Sequence, residues 1–268
     1  MRHRLSPPPG LIAWLIVCYA FLYAPIGFLV AFSFSGSRLV TVWGGFSTRW
    51  YRTLWNDAAL LDAAWLSLRI AAASATMALI AGTIAGFVLA RFGRFRGRGM
   101  LEASLAAPLV LPEVITGLSL LLLFVMLERF TGWPAGRGAG TVTIAHAAVS
   151  AAYVTVVVRS RLTGTGVELE EAAADLGARP WEVFGLVTLP LAAPALVAGW
   201  LLAFTLSLDD VVVASFTSGP GATTLPMMVL SATKLGVTPE IYALAAVILA
   251  GVAGVMATGM AVAGRLRR

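Results

Sequence analysis

Six stretches of this sequence run for 18 residues or more with almost no charged side chain, and their recurrence decides the solvent in which the chain can fold. A helix rises about 1.5 Å per residue, so about 20 apolar residues cross the hydrocarbon of a bilayer. Residues 11–34 and 241–264 carry no charge; 63–90 hold only Arg69, and 101–127 only Glu102 and Glu113. The stretch 141–158 has His146 as its one titratable group besides Tyr153, and 194–216 has only Asp209 and Asp210. Composition closes the alternatives. Charged residues make up 12% of the chain and apolar ones 59%, whereas a soluble domain carries about 25% charge. Disorder demands low hydrophobicity. The expected fold class is an all-α integral membrane protein of six transmembrane helices. The first apolar run exceeds the roughly 7–15 residues of a signal core, so it is expected to persist as a helix.

Orientation follows from the basic residues in short loops. Twelve fall on one side: Arg2, Arg4, Arg91, Arg94, Arg96, Arg98, Arg159, Arg161, Arg179, Arg265, Arg267 and Arg268. Six fall on the other: Arg38, Arg49, Arg52, Arg129, Arg137 and Lys234. Both termini are therefore expected in the cytoplasm, and the net charge of +6 is read as loop anchoring, with no nucleic-acid partner. Cys18 is the single cysteine, which excludes an intrachain disulfide, and no Cys/His cluster has metal spacing.

Within the spans, Gly82 and Gly86 set a GxxxG pattern that suits close helix packing. Pro108 and Pro112 in the third span, and Pro194 opening the fifth, free backbone carbonyls. Glu102 is expected to pair with Arg98 or Arg96. The outer loop 35–62 holds Trp43, Trp50, Tyr51 and Trp55, in keeping with an interfacial aromatic belt. In the outer segment 217–239, Ser218-Gly219-Pro220-Gly221 signals a turn, Thr224 could cap a short helix reaching Gly236, and Thr238-Pro239-Glu240 opens the last span.

The inner loop between the fourth and fifth spans is longer and partly acidic. Thr165 and Glu168 stand at capping-box spacing. Glu168, Glu170 and Glu171 suit the start of a helix, while Leu169, Ala172, Ala173 and Leu176 form a narrow apolar face. Gly177 suits a left-handed helix end, and Pro180 opens a second helix through Trp181, Val183 and Phe184 toward Leu189-Pro190. Two short helices around a glycine turn make a knob fit for a groove on another protein.

Glu171-Ala172-Ala173, Gly177 six residues on, and Leu189-Pro190 resemble the EAA-loop signature of ABC-type importer permeases. Residues 107–119, 207–211 and 218–226 look like the polyamine branch of that family, most of all the smaller permease subunit of putrescine importers. The match departs at Thr163-Gly164-Thr165-Gly166, where relatives usually carry charge, and at Trp65, where many have asparagine. The resemblance implies a type-1 transmembrane domain over 60–264. Residues 1–59 would then add a first helix and external loop, and 265–268 a basic tail. It also implies that Glu171, Ala172, Ala173, Gly177, Leu189 and Pro190 couple to an ATPase. The implied partners are a second permease subunit, an ATP-binding-cassette ATPase dimer that binds ATP and Mg, an external polyamine-binding protein and membrane lipid. The chain itself has no phosphate-binding G-x-x-x-x-G-K-[ST], so it is expected to hold no cofactor and to be no enzyme. The implied location is the bacterial inner membrane.

Carboxylates at bilayer depth are costly unless paired or wet, so Glu113, Asp209 and Asp210 mark a candidate pathway. A polyamine is a multiple cation, and carboxylates can replace part of its lost hydration. Adjacent helical residues point about 100° apart, so one of Asp209 and Asp210 could meet substrate while the other caps a broken helix. His146 is expected to be a satisfied interfacial histidine. The alternative is a self-contained ion-coupled carrier of small organic cations that uses Glu113, Asp209 and His146 as relay groups.

Overall fold

The computed structural model describes residues 9–235 and 238–266; Arg2, Arg4, Gly236, Arg267 and Arg268, named above, lie outside them. In chain order the helices are α1 (Pro9–Phe32), α2 (Arg49–Asn56), α3 (Ala58–Arg91), α4 (Arg98–Val110), α5 (Glu113–Thr131), α6 (Ala139–Gly164), α7 (Glu168–Asp175), α8 (Pro180–Val183), α9 (Leu189–Asp209), α10 (Val212–Thr217), α11 (Leu225–Leu235) and α12 (Pro239–Leu266). Among the described residues there is no strand, only an isolated bridge between Ser35 and Phe46. All six apolar stretches are mostly helical. Among the described residues, five helical segments are long and apolar enough to cross a membrane, and α12 is apolar over Pro239–Gly254.

The chain divides into two compact units, one holding the segments up to Leu61 and from Val229 onward, the other Asp62–Met228. In the first, α1 and α2 pack on α12. Trp50 is buried and its indole N–H donates to Ser35 O at 2.7 Å, while Trp43 and Trp55 stay exposed as an interfacial belt requires. Along α1, Trp14, Phe21 and Leu22 are exposed, a face suited to lipid or a partner rather than water.

The second unit is built on α6, which packs against α9, α10 and α4. Its core is made mainly of small and β-branched residues, Ala75, Ala78, Val154, Val158, Ala192 and Ala203, with Leu162 beside them. Gly82 and Gly86 explain how α3 joins it. A Cβ at Gly82 would lie 2.7 Å from Val154 Cβ, and one at Gly86 3.0 Å from Val158 Cβ. The glycine pair therefore lets the two helix backbones approach closely.

Two spans are broken where the sequence suggests single helices. The third stops at Val110 and restarts at Glu113, because Leu111 precedes Pro112 and is pushed into extended backbone, with ψ 141°. Pro108 is carried inside α4. The fifth does not open at Pro194, which lies inside α9. It starts at Pro180 and runs through a π turn, Phe184–Thr188, to Asp209. It breaks at Asp210, whose ψ is 120°, and resumes as α10. Thr224 stands directly before α11 as expected, but its Oγ1 is buried without a hydrogen-bond partner among the described residues, and Leu225 N–H donates to Ser67 Oγ at 2.7 Å. Glu102 pairs with Arg98 as expected, at 3.3 Å, and with Arg159 at 3.5 Å.

Candidate functional site

The two helix breaks open on the same space. A cavity of about 230 Å³ is lined by Glu113, Tyr153, His146, Ser207, Asp209 and Asp210, so all three acids picked from the sequence meet there. They are held differently. Glu113 is the first residue of α5 and is exposed; the exposed N–H groups of a helix start favour its charge. Asp209 is the last residue of α9 and is also exposed. The carbonyl end of a helix disfavours an anion, so Asp209 is the acid with most to gain from a nearby cation. Asp210 stands at the start of α10, and its Oδ1 accepts a hydrogen bond from Val213 N–H at 2.9 Å. It is the cap of the broken helix.

Behind the acids runs a buried polar chain. His146, 2% exposed, sits on α6 with Nδ1 2.7 Å from Ser207 Oγ, and Ser207 Oγ accepts from Ser74 Oγ at 3.0 Å. The other ring nitrogen, Nε2, lies 3.7 Å from Asp210 Oδ2 and makes no hydrogen bond to the described residues. The expectation of a satisfied histidine therefore holds at Nδ1 only. Ser74 and Ser207 escape a sequence reading, since serines inside helices usually bond their own turn.

At the other end of the unit lies the acidic loop. Thr165 is not a cap: it closes α6, and its hydroxyl donates to Leu162 O at 3.0 Å. The α7 helix starts at Glu168 without a side-chain cap. Its end matches the sequence closely. Gly177 has φ +90°, Gly177 N–H donates to Ala174 O at 2.9 Å, and Ala178 N–H to Ala173 O at 3.1 Å. These are the two bonds of a Schellman turn, which needs a left-handed residue at that place. Arg179 N–H then donates to Glu182 Oε2 at 2.7 Å, fixing the start of α8 with Pro180 at its first position. Glu171, Ala172 and Gly177 are exposed, Ala173 is half-buried, and Leu176 is 90% exposed. Leu189 and Pro190 start α9, directly after the π turn.

The anchor of this loop is a pair that the sequence does not reveal. Arg91, the last residue of α3, donates from Nε to Glu170 Oε2 at 2.8 Å and from Nη2 to Glu170 Oε1 at 3.0 Å. It also donates to Leu162 O at 2.9 Å and Gly166 O at 2.7 Å. Glu170 Oε1 accepts a further bond from Thr188 Oγ1 in the π turn, at 2.9 Å. One bidentate ion pair thus ties α7 to the ends of α3 and α6 and to the start of the α9 span.

Comparison with known proteins agrees with this architecture. Residues 78–268 match the family described as binding-protein-dependent transport system inner membrane component. The chain is 58% identical over 244 residues to the putrescine transport system permease protein PotI of Escherichia coli, covering 91% of this chain and 87% of that one. It is 41% identical over 236 residues to the spermidine/putrescine transport system permease protein PotC of the same species, covering 88% and 87%. In structure it is similar to a bacterial ABC transporter involved in the import of the acidic polysaccharide alginate. The TM-score is 0.71 with 18% identity and 98% of each chain covered; that likeness bears on the fold alone.

Proposed function

Because this chain belongs to the family of binding-protein-dependent transport system inner membrane components, the permease subunits of ABC importers, we propose that it is the inner-membrane permease of a polyamine importer, with putrescine its first candidate substrate. It would form half of the translocation pathway beside a second permease subunit. An ATP-binding-cassette ATPase dimer would bind ATP and Mg, and an external polyamine-binding protein would deliver the amine; the chain itself would hold no cofactor. The observation that carries the substrate class is the convergence of Glu113, Asp209 and Asp210 on one cavity. An alkyl diamine is a rod with a charge at each end. A passage with carboxylates at two helix breaks supports such charges where water is scarce, since opposite charges attract more strongly at low dielectric.

The EAA-type corner supports the coupling role. Its apolar side chains Leu169, Leu176 and Trp181 are 57%, 90% and 64% exposed, an apolar surface beside an acidic helix start rather than the Lys/Arg-rich face of a membrane-surface helix. We place this corner and both termini in the cytoplasm on the twelve-to-six distribution of basic residues. No finding favours a self-contained carrier.

Reconstitution separates the readings. ATP-driven uptake of labelled putrescine should require the chain, its partner permease, the ATPase and the binding protein together. Uptake by this chain alone under an ion gradient contradicts the proposal. Reporter fusions after Arg98 and Arg161 should read cytoplasmic and one after Gly136 external.

A further inference from the structure

The polar chain borders the cavity at His146 and Ser207, and it ends on the one acid that already has a structural task. Asp210 gives Oδ1 to Val213 N–H and turns Oδ2 toward His146 Nε2 at 3.7 Å. Both of its oxygens therefore face protein groups. Asp209, one residue earlier, is exposed at the carbonyl end of α9, and Glu113 is exposed across the cavity. We propose that His146 is a positioning residue: through Ser207 and Ser74 it presents an N–H to Asp210, fixes the α9–α10 break, and leaves Asp209 and Glu113 as the pair that receives the amine cation. This rests on the cation-pathway reading above.

The direction of the hydrogen bonds follows from the groups at its two ends. A neutral imidazole carries one N–H and one lone pair. A lone pair on Nε2 would face a carboxylate, whereas an N–H there is attracted to it. That selects the Nε2–H tautomer and makes Nδ1 the acceptor of the Ser207 hydroxyl at 2.7 Å. Ser207 Oγ can then accept from Ser74 Oγ at 3.0 Å, and Ser74 Oγ also lies 3.1 Å from Ala71 O. Each serine has one proton, and the order that runs the length of the chain is Ser74 to Ser207 to His146, with the Nε2 proton aimed at Asp210. It joins α3, α9, α6 and the first turn of α10, and it crosses the break that no backbone hydrogen bond of an unbroken helix spans. The 3.7 Å separation closes to a hydrogen bond with a small movement of Asp210, so the contact can tighten when a cation draws on the neighbouring Asp209.

Two amide substitutions divide the imidazole between them. In His146→Gln the amide nitrogen reaches the place of Nε2 and can still donate to Asp210. In His146→Asn the shorter amide reaches only the place of Nδ1, keeping the Ser207 bond and losing Asp210. In the reconstituted complex, His146→Gln should keep putrescine uptake within about threefold of wild type, while His146→Asn and Asp210→Asn should each lower the maximal rate about tenfold, the size of one hydrogen bond to a charged group. The double variant His146→Asn with Asp210→Asn should be no slower than either single one, as expected for residues acting as a unit. Amide exchange at Val213, whose N–H Asp210 holds, should accelerate in His146→Asn and not in His146→Gln, with or without substrate. Equal behaviour of the Gln and Asn variants in exchange overturns the assignment, as does loss of both from the membrane, because either makes His146 a packing residue. A wild-type complex that moves no amine while the exchange pattern holds counts against the pathway reading and leaves the positioning role standing.

Discussion

The two ends of the second unit treat charge in opposite ways. At the corner that holds α7, every strong group is used: Arg91 serves both oxygens of Glu170 and two backbone carbonyls, and Glu170 takes Thr188 as well. At the cavity, Glu113 and Asp209 are exposed and His146 Nε2 makes no hydrogen bond among the described residues. A saturated cluster is a rigid joint, since moving one member leaves others unpaired in a poorly hydrated place. An unsaturated cluster of one sign is suited to receive a counter-ion. The difference teaches where this chain should be stiff, for transmitting force, and where it should be receptive, for passing a cation.

The largest effect should come from breaking the joint. Arg91→Ala leaves a mostly buried carboxylate with Thr188 as its remaining partner, a loss of about 3 kcal/mol. Uptake should fall about a hundredfold, with weakened co-purification of the ATPase. Glu170→Gln should be milder, because its amide oxygen still accepts one N–H from Arg91. Equal losses in the two variants would show that the bidentate charge pair is not what anchors α7.

The glycine turn should come next. Gly177→Val forces a β-branched residue to φ +90° and costs about 1–3 kcal/mol. The spans should insert normally, while ATPase association weakens and uptake is lost. Gly177→Asn should recover much of it, since asparagine tolerates the left-handed region. This turn was legible in the sequence because everything that builds it lies within a few residues: a helical stretch, a glycine and Pro180.

The joint was not legible. Arg91 reads as one more loop arginine and Glu170 as one more acid at a helix start. Only the fold brings together residues 79 apart in sequence. The same holds for Ser74 with Ser207, 133 apart. Thr165 misled for a local reason: its spacing to Glu168 fits a capping box, but α6 continues past residue 158 and takes Thr165 into its own end. The break at Leu111 follows from Pro112, a signal the sequence carries openly. The break at Asp210 has no proline or glycine behind it; there the side-chain bond to Val213 N–H competes with continued helix, the kind of local alternative that aspartate offers.

The smallest effect belongs to neither end. Gly82→Ala puts a methyl 2.7 Å from Val154 Cβ, an overpacking of about 1 kcal/mol. A lower thermal midpoint of the purified complex should accompany unchanged docking and uptake. A change in coupling from this substitution would mean that the α3–α6 contact belongs to the joint.

The central claim is that the receptive end passes an amine cation, and the double variant Glu113→Gln with Asp209→Asn tests it most directly. Both changes keep shape and hydrogen bonding while removing two negative charges from the cavity. Putrescine uptake is measured in the reconstituted complex at equal permease content, with ATPase docking followed alongside. Uptake should fall about tenfold or more, as for loss of charge-assisted contacts, with docking intact. Uptake near wild type would contradict it and leave these acids with a packing role alone.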